Sequence, residues 1–165
     1  MSTPNSTDQS LRRHVIYLLS VGGAHVSFDK AVKAFPATLC GVRPAGLVHT
    51  PWMVLEHLRR TQWDILDFSI NPDYREMKWP EDYWPTTESP ADAEEWNASV
   101  EAFRRDLQAM QDLVADPKTD LFAPIPWGDG QTILREALLV ADHNSHHVGQ
   151  LIDLRRMLGA WPVKK

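Results

Sequence analysis

Residues 132–159, TILREALLVADHNSHHVGQLIDLRRMLG, carry the pattern that decides the fold. Leu134, Ala137, Leu138, Ala141, Val148, Leu151, Ile152 and Leu158 recur at the spacing of one face of an α-helix. Gly159 suits the C-cap of a helix over about 132–158, and Pro162 follows closely. Inside this helix lies Asp142-His143-Asn144-Ser145-His146-His147-Val148-Gly149-Gln150. His143 and His147 are four apart, so their rings stand one turn above each other on one face. Two imidazoles so placed can converge on one cation, as metal–nitrogen bonds of ~2.0–2.1 Å require. His146, three residues after His143, is a geometric substitute. The bland reading of the same residues is a polar surface patch or a satisfied core network.

Three more helical stripes precede this one. The first spans about 9–35, through Leu11, His14, Leu18, Val21, His25, Phe28 and Val32, with Gly22 and Gly23 interrupting it. The second spans about 51–69, where Thr50-Pro51 reads as N-cap and N1, and Val54, Leu58, Thr61, Ile65 and Phe68 form the stripe. The third spans about 91–115, with Ser89 as cap, Pro90 at N1 and Trp96, Val100, Phe103, Leu107, Met110 and Val114 on one face. Four such amphipathic helices predict an all-α four-helix bundle, one domain over 9–162 behind a loose tail at 1–8. The long joint over about 70–90 permits a crossover between the second and third helices. Residues 117–130, rich in proline and glycine, could hold a short strand or turn.

Composition narrows the functional classes. A net charge of -5 opposes nucleic acid as a partner. No run reaches the ~18 apolar residues of a membrane helix. The N-terminal MSTPNSTDQSLRRH lacks the apolar segment of a secretory signal, and a single cysteine suits a reducing compartment, so a cytoplasmic protein is expected.

Two histidines on one helix need a third ligand from a facing one. His57 lies between Val54, Leu58 and Thr61, at the edge of the inward stripe of the second helix. A histidine there has little reason to exist without a partner. His57, His143 and His147 would make an open three-histidine site, the pattern of a catalytic metal rather than a closed structural one. Imidazole suits zinc, nickel, iron and copper, and zinc or nickel is the expected divalent ion. Ligand protonation is expected to empty the site as pH falls through the histidine range.

LLVADHNSHHVGQLIDLRRMLGAW resembles the fourth helix of the DinB-like (YfiT-like) family of metal-binding four-helix bundles, and PWMVLEHLRRTQWDILDF resembles its second. The His-x-x-x-His followed by a residue, Gly and Gln is the specific part. The resemblance implies that His57, His143 and His147 are the three ligands, with His146 a neighbour. It also implies an up-down-down-up bundle with a long crossover between helices two and three. On activity it implies a metal-dependent transferase, of the thiol S-transferase kind, or a hydrolase, acting on a small molecule or thiol. A non-catalytic metal-stabilised binding module, or a plain helical homodimer with structural histidines, is the rival.

Other residues carry two readings each. Gln150 and Glu136 lie seven residues either side of His143 and could orient a ligand ring or line a pocket; as ordinary polar helix residues they need no role. Asp64, seven after His57, shares that ambiguity. His25 and His14 could line a cavity or simply edge the core. His49 falls outside the second helix, and Cys40 is expected to be a bland thiol. The aromatic segment 78–85, KWPEDYWP, is either a lid over the metal or an anchor of the joint. Arg59-Arg60, Arg104-Arg105 and Arg155-Arg156 read as solvated faces.

Overall fold

Capping residues set where the long helices begin. Thr50 Oγ1 accepts from Met53 N, with Pro51 at the first helical position; Asp92 caps through Glu95 N; Thr132 caps through Arg135 N. In the computed structural model, which describes residues 6–21 and 23–161, these starts give α3 (Pro51–Ile70), α4 (Ala93–Ala115) and α5 (Ile133–Met157). They follow α1 (Ser6–Val21), α2 (Phe28–Val32) and a 3-10 turn at Ala37–Leu39. Among the described residues the chain is all-helical. The stretch 117–130 is loop, with a single bridge between Pro124 and Thr132.

Three boundaries differ from expectation. The stripe over 9–35 is two helices, not one, because Gly23 takes a left-handed φ of +56° and Ser27 starts a new helix. Val15 and Leu19 face the core, while His14 and Leu18 are exposed. At α4 the cap is Asp92 rather than Ser89, since Glu95 also reaches back to Ala91 N. Of the expected tail, residues 1–5 lie outside those described and α1 takes up 6–8.

α3 packs on α4 and α5, and α1 packs on the same two helices. Two apolar clusters fill the space between them. One gathers Phe28, Leu55, Leu58, Trp96, Phe103, Val148 and Leu151; the other gathers Val15, Leu19, Ile65, Met110, Ile133, Ala137 and Val140. They part at one level, between Leu58 and Ile65 on α3 and between Ala141 and Val148 on α5. His143 and His147 fall in this gap on α5, and His57 stands just before it on α3.

Buried charges on the periphery are satisfied. Glu56 accepts from Arg59, Arg60 and Ser99. Burial opposes its charge, but these bonds outweigh it and hold its pKa below the usual range. Arg60 also donates to the carbonyls of Asp82 and Trp84, pinning the long joint to α3. Arg155 is no solvated residue: it is 1% exposed and donates to the carbonyls of Ala31, Ala34 and Ala160, clamping the end of α2 to the end of α5. Thr50, fully buried, also donates to the Glu88 carbonyl at 2.6 Å. Thr50→Ala is expected to lower unfolding free energy by about 1–2 kcal/mol in urea melts, with Thr50→Ser keeping most of it.

Candidate metal centre

His143 and His147, from the gap on α5, meet His57, which stands one residue before the gap on α3. Each offers one ring nitrogen to a common point, all within 4.8 Å of one another. His57 Nε2 lies 3.2 Å from His147 Nε2 and 3.2 Å from His143 Nε2. Nitrogens bound at ~2.0–2.1 Å to a tetrahedral ion stand about 3.3–3.4 Å apart. Among the described residues no other histidine, cysteine or carboxylate joins the cluster.

The far nitrogens show why this is not an ordinary hydrogen-bonded trio. His57 Nδ1 faces the Tyr83 carbonyl at 3.1 Å, and a carbonyl only accepts, so the proton sits on Nδ1. His147 Nδ1 faces Gln150 Oε1 at 2.7 Å and donates to it. Both Nε2 atoms are then lone pairs pointing at each other with no proton between them. A shared cation relieves that opposition, and the donor set fits a divalent ion.

Burial tunes the same rings. It pushes the His57 pKa down to about 4, against the pull of the Tyr83 carbonyl. It pushes His143 down to about 3, with the neighbouring charges of His147 and His57 adding to the effect. His147 is lowered too, chiefly by burial. All three are neutral near pH 7, the form that binds metals.

The joint between α3 and α4 covers one side of the cluster. The Trp84 ring lies flat on His57, with centroids 3.9 Å apart and planes 2° apart. His49 stacks on Trp84 at 4.0 Å, so the indole separates it from the cluster. Trp79 is largely exposed and meets His57 edge-on at 6.5 Å. The aromatic segment is therefore an anchor at Trp84, with Trp79 left at the rim.

The remaining candidates divide. His146 is exposed and accepts from Gln150 Nε2 at 3.0 Å, outside the cluster. Gln150 thus links His146 to His147. Glu136 is remote from the rings: it is buried, paired with Arg135, and lines a cavity of about 440 Å³ together with Asp64. Asp64 accepts from the phenols of Tyr74 and Tyr83. His25 bonds the neighbouring Val26 carbonyl and lines a small cavity with Asn144, Ser145 and Val148, without joining the three-histidine cluster. Cys40 is buried, and burial pushes its thiol up to about 11, which makes it inert. Tyr83 was not legible as a site residue, because it orients His57 through its backbone carbonyl, a group every residue possesses.

The fold and the cluster together define an all-helical protein whose three histidines could hold a metal ion. A family model described as the DinB superfamily matches residues 24–151, and the chain belongs to that superfamily, whose members bind metals. No curated protein and no solved structure matches it significantly.

Proposed function

We propose that this protein is a metal-dependent enzyme, a transferase of the thiol S-transferase kind or a hydrolase, acting on a small molecule. His57, His143 and His147 are its ligands for a divalent ion, zinc or nickel. They sit in the polar layer of an up-down-down-up bundle formed by α1, α3, α4 and α5, whose long crossover joins α3 to α4. The observation that carries this reading is the meeting of three Nε2 atoms while two of the opposite nitrogens are tied to fixed acceptors. Three neutral ligands leave the ion its full charge, which lowers the pKa of a water or thiol brought to it.

The chain's own residues hold the arrangement. Tyr83 and Gln150 fix two ring orientations. Trp84 covers one face of His57 and keeps water from it. Three protein donors leave room for a small molecule to join them.

Two measurements test the reading. Elemental analysis of protein purified without added metal is expected to find one divalent ion per chain. A screen with small thiols plus electrophiles, and with model esters and amides, is expected to give turnover that His143→Ala abolishes. Turnover that survives His143→Ala removes the metal from the mechanism. Bound metal without turnover in either screen leaves a metal-stabilised binding module instead.

A further inference from the structure

The cavity of about 440 Å³ that Asp64 and Glu136 share lies between α3, α5 and the loops at Tyr74 and Trp127. Asp64 stands seven residues after His57 and Glu136 seven before His143, so the cavity is about 10 Å along the helices from the three rings. Its aromatic walls are fixed. Trp127 Nε1 donates to the Phe68 carbonyl at 2.7 Å, and Tyr74 meets the Phe68 ring edge-on with centroids 5.2 Å apart. Gly128 lets the loop close on Phe68, since a Cβ there would stand 2.9 Å from Phe68 Cζ.

The charge in this cavity is one-sided. Asp64, Glu76, Asp129 and Glu136 line it, against the single cation Arg135. Arg135 is committed to Glu136, which it meets at 2.7 Å. Asp64 is 6% exposed and has no cationic partner among the described residues. Its hydrogen bonds come from neutral phenols, Tyr74 at 2.9 Å and Tyr83 at 2.7 Å. The charges that act on it, Asp67 and Glu76, are negative as well. A buried carboxylate without a counter-charge is costly, and a bound cation offsets that cost. Among the described residues no three of these carboxylates lie close enough together to share a metal ion.

We infer that this cavity binds an organic ammonium ion, with its nitrogen on Asp64 and its apolar body among Phe68, Tyr74 and Trp127. Each Asp64 oxygen accepts one phenol and keeps a further lone pair for an ammonium proton. The aromatic rings cover carbon and attract positive charge through their faces. The surplus of carboxylates repels anions and draws cations in. The site is independent of any ion at the three histidines.

The test titrates 2-phenylethylamine, 2-phenylethanol and phenylacetate into the full chain at pH 7.5 and low salt, following the indole N–H signals by proton–nitrogen spectroscopy. The Trp127 signal, assigned by its loss in Trp127→Phe, reports this cavity, and those of Trp79 and Trp84 report the histidine cluster. The amine is expected to shift Trp127 with a dissociation constant on the order of 1 mM, as suits so small a probe. The alcohol should bind at least about tenfold more weakly, since it lacks the charge, and phenylacetate should not shift Trp127. Asp64→Asn, which keeps an acceptor but loses the charge, should weaken the amine about 10–100-fold and leave the alcohol unchanged. If Asp64→Asn does not fold, the exposed pair Glu76→Gln/Asp129→Asn carries the comparison, with an expected loss of about 2–5-fold for the amine alone. Equal binding of amine and alcohol overturns the inference and leaves a merely apolar cavity. Shifts confined to Trp79 and Trp84, no Trp127 shift at about 10 mM amine, or undiminished amine binding in the folded charge-removing variant overturn it as well.

Discussion

Zinc or nickel added to the metal-stripped protein is expected to raise its melting midpoint by about 5–11 °C, and His143→Ala is expected to erase that rise. The size follows from mass action. An ion that binds only the folded chain, at one hundred times its dissociation constant, stabilises it by about 2.7 kcal/mol. In a protein of this length each kcal/mol moves the midpoint by about 2–4 °C. The unfolded chain offers the same imidazoles without convergence, so most of the affinity belongs to the native state. His143→Ala removes one of three donors, and a pair cannot hold the ion as the trio does. Its intrinsic cost to stability is separated by comparing each protein with and without the ion. His14→Ala, at an exposed histidine on α1, should keep the full rise. His146→Ala should keep most of it, because His146 stands outside the cluster. A rise of equal size in His143→Ala would place the ion elsewhere.

The contrast between His143 and His146 also marks what the sequence discloses. Helical spacing put His143 and His147 on one face, and a lone histidine at the edge of the α3 stripe drew attention to His57. These are statements about residue type and period, and the structure brings the three rings together. Thr50-Pro51 likewise announced the start of α3, because capping is local. What stayed hidden depends on pairings between distant segments. The α1 stripe kept its period across Gly22 and Gly23 by coincidence, so periodicity ran through a break that backbone geometry enforces. Arg155 looked like any surface arginine, and two of its three acceptors are carbonyls more than a hundred residues away. Glu56 has its two arginines three and four residues along α3, but gave no sign that Ser99 of α4 would donate to it. Gln150 was readable either way, and only the rotamers of His146 and His147 decide that it links them.

Acid is expected to destabilise the metal-stripped protein from about pH 6.5 downward, while the protein that stays folded keeps its affinity for metal below the ordinary histidine range. The sign follows from where protons bind. In the unfolded chain His57, His143 and His147 titrate near ~6.5. In the native state burial has moved His57 to about 4 and His143 to about 3, with His147 lowered as well. Between these limits the unfolded chain carries protons that the folded chain refuses, so stability falls as pH falls. Above pH ~6.5 all three are neutral in both states and the loss vanishes; below the folded values it levels off. Three such groups give a slope of at most about 4 kcal/mol per pH unit. The lowered Glu56 acts in the same direction at lower pH, and the raised Asp64 and Asp106 oppose it. Metal affinity of the folded state follows a different rule. Free imidazoles would lose up to about a thousandfold per pH unit below ~6.5, since three protons compete with each ion. Rings already neutral to lower pH face little competition there, which shifts the release window below the ordinary histidine range. Chelator competition at pH 7.5, 6.5 and 5.5, with circular dichroism to confirm folding, separates the two. A thousandfold loss between pH 6.5 and 5.5 in folded protein would show that the rings titrate as if exposed, and the buried cluster would lose its physical basis.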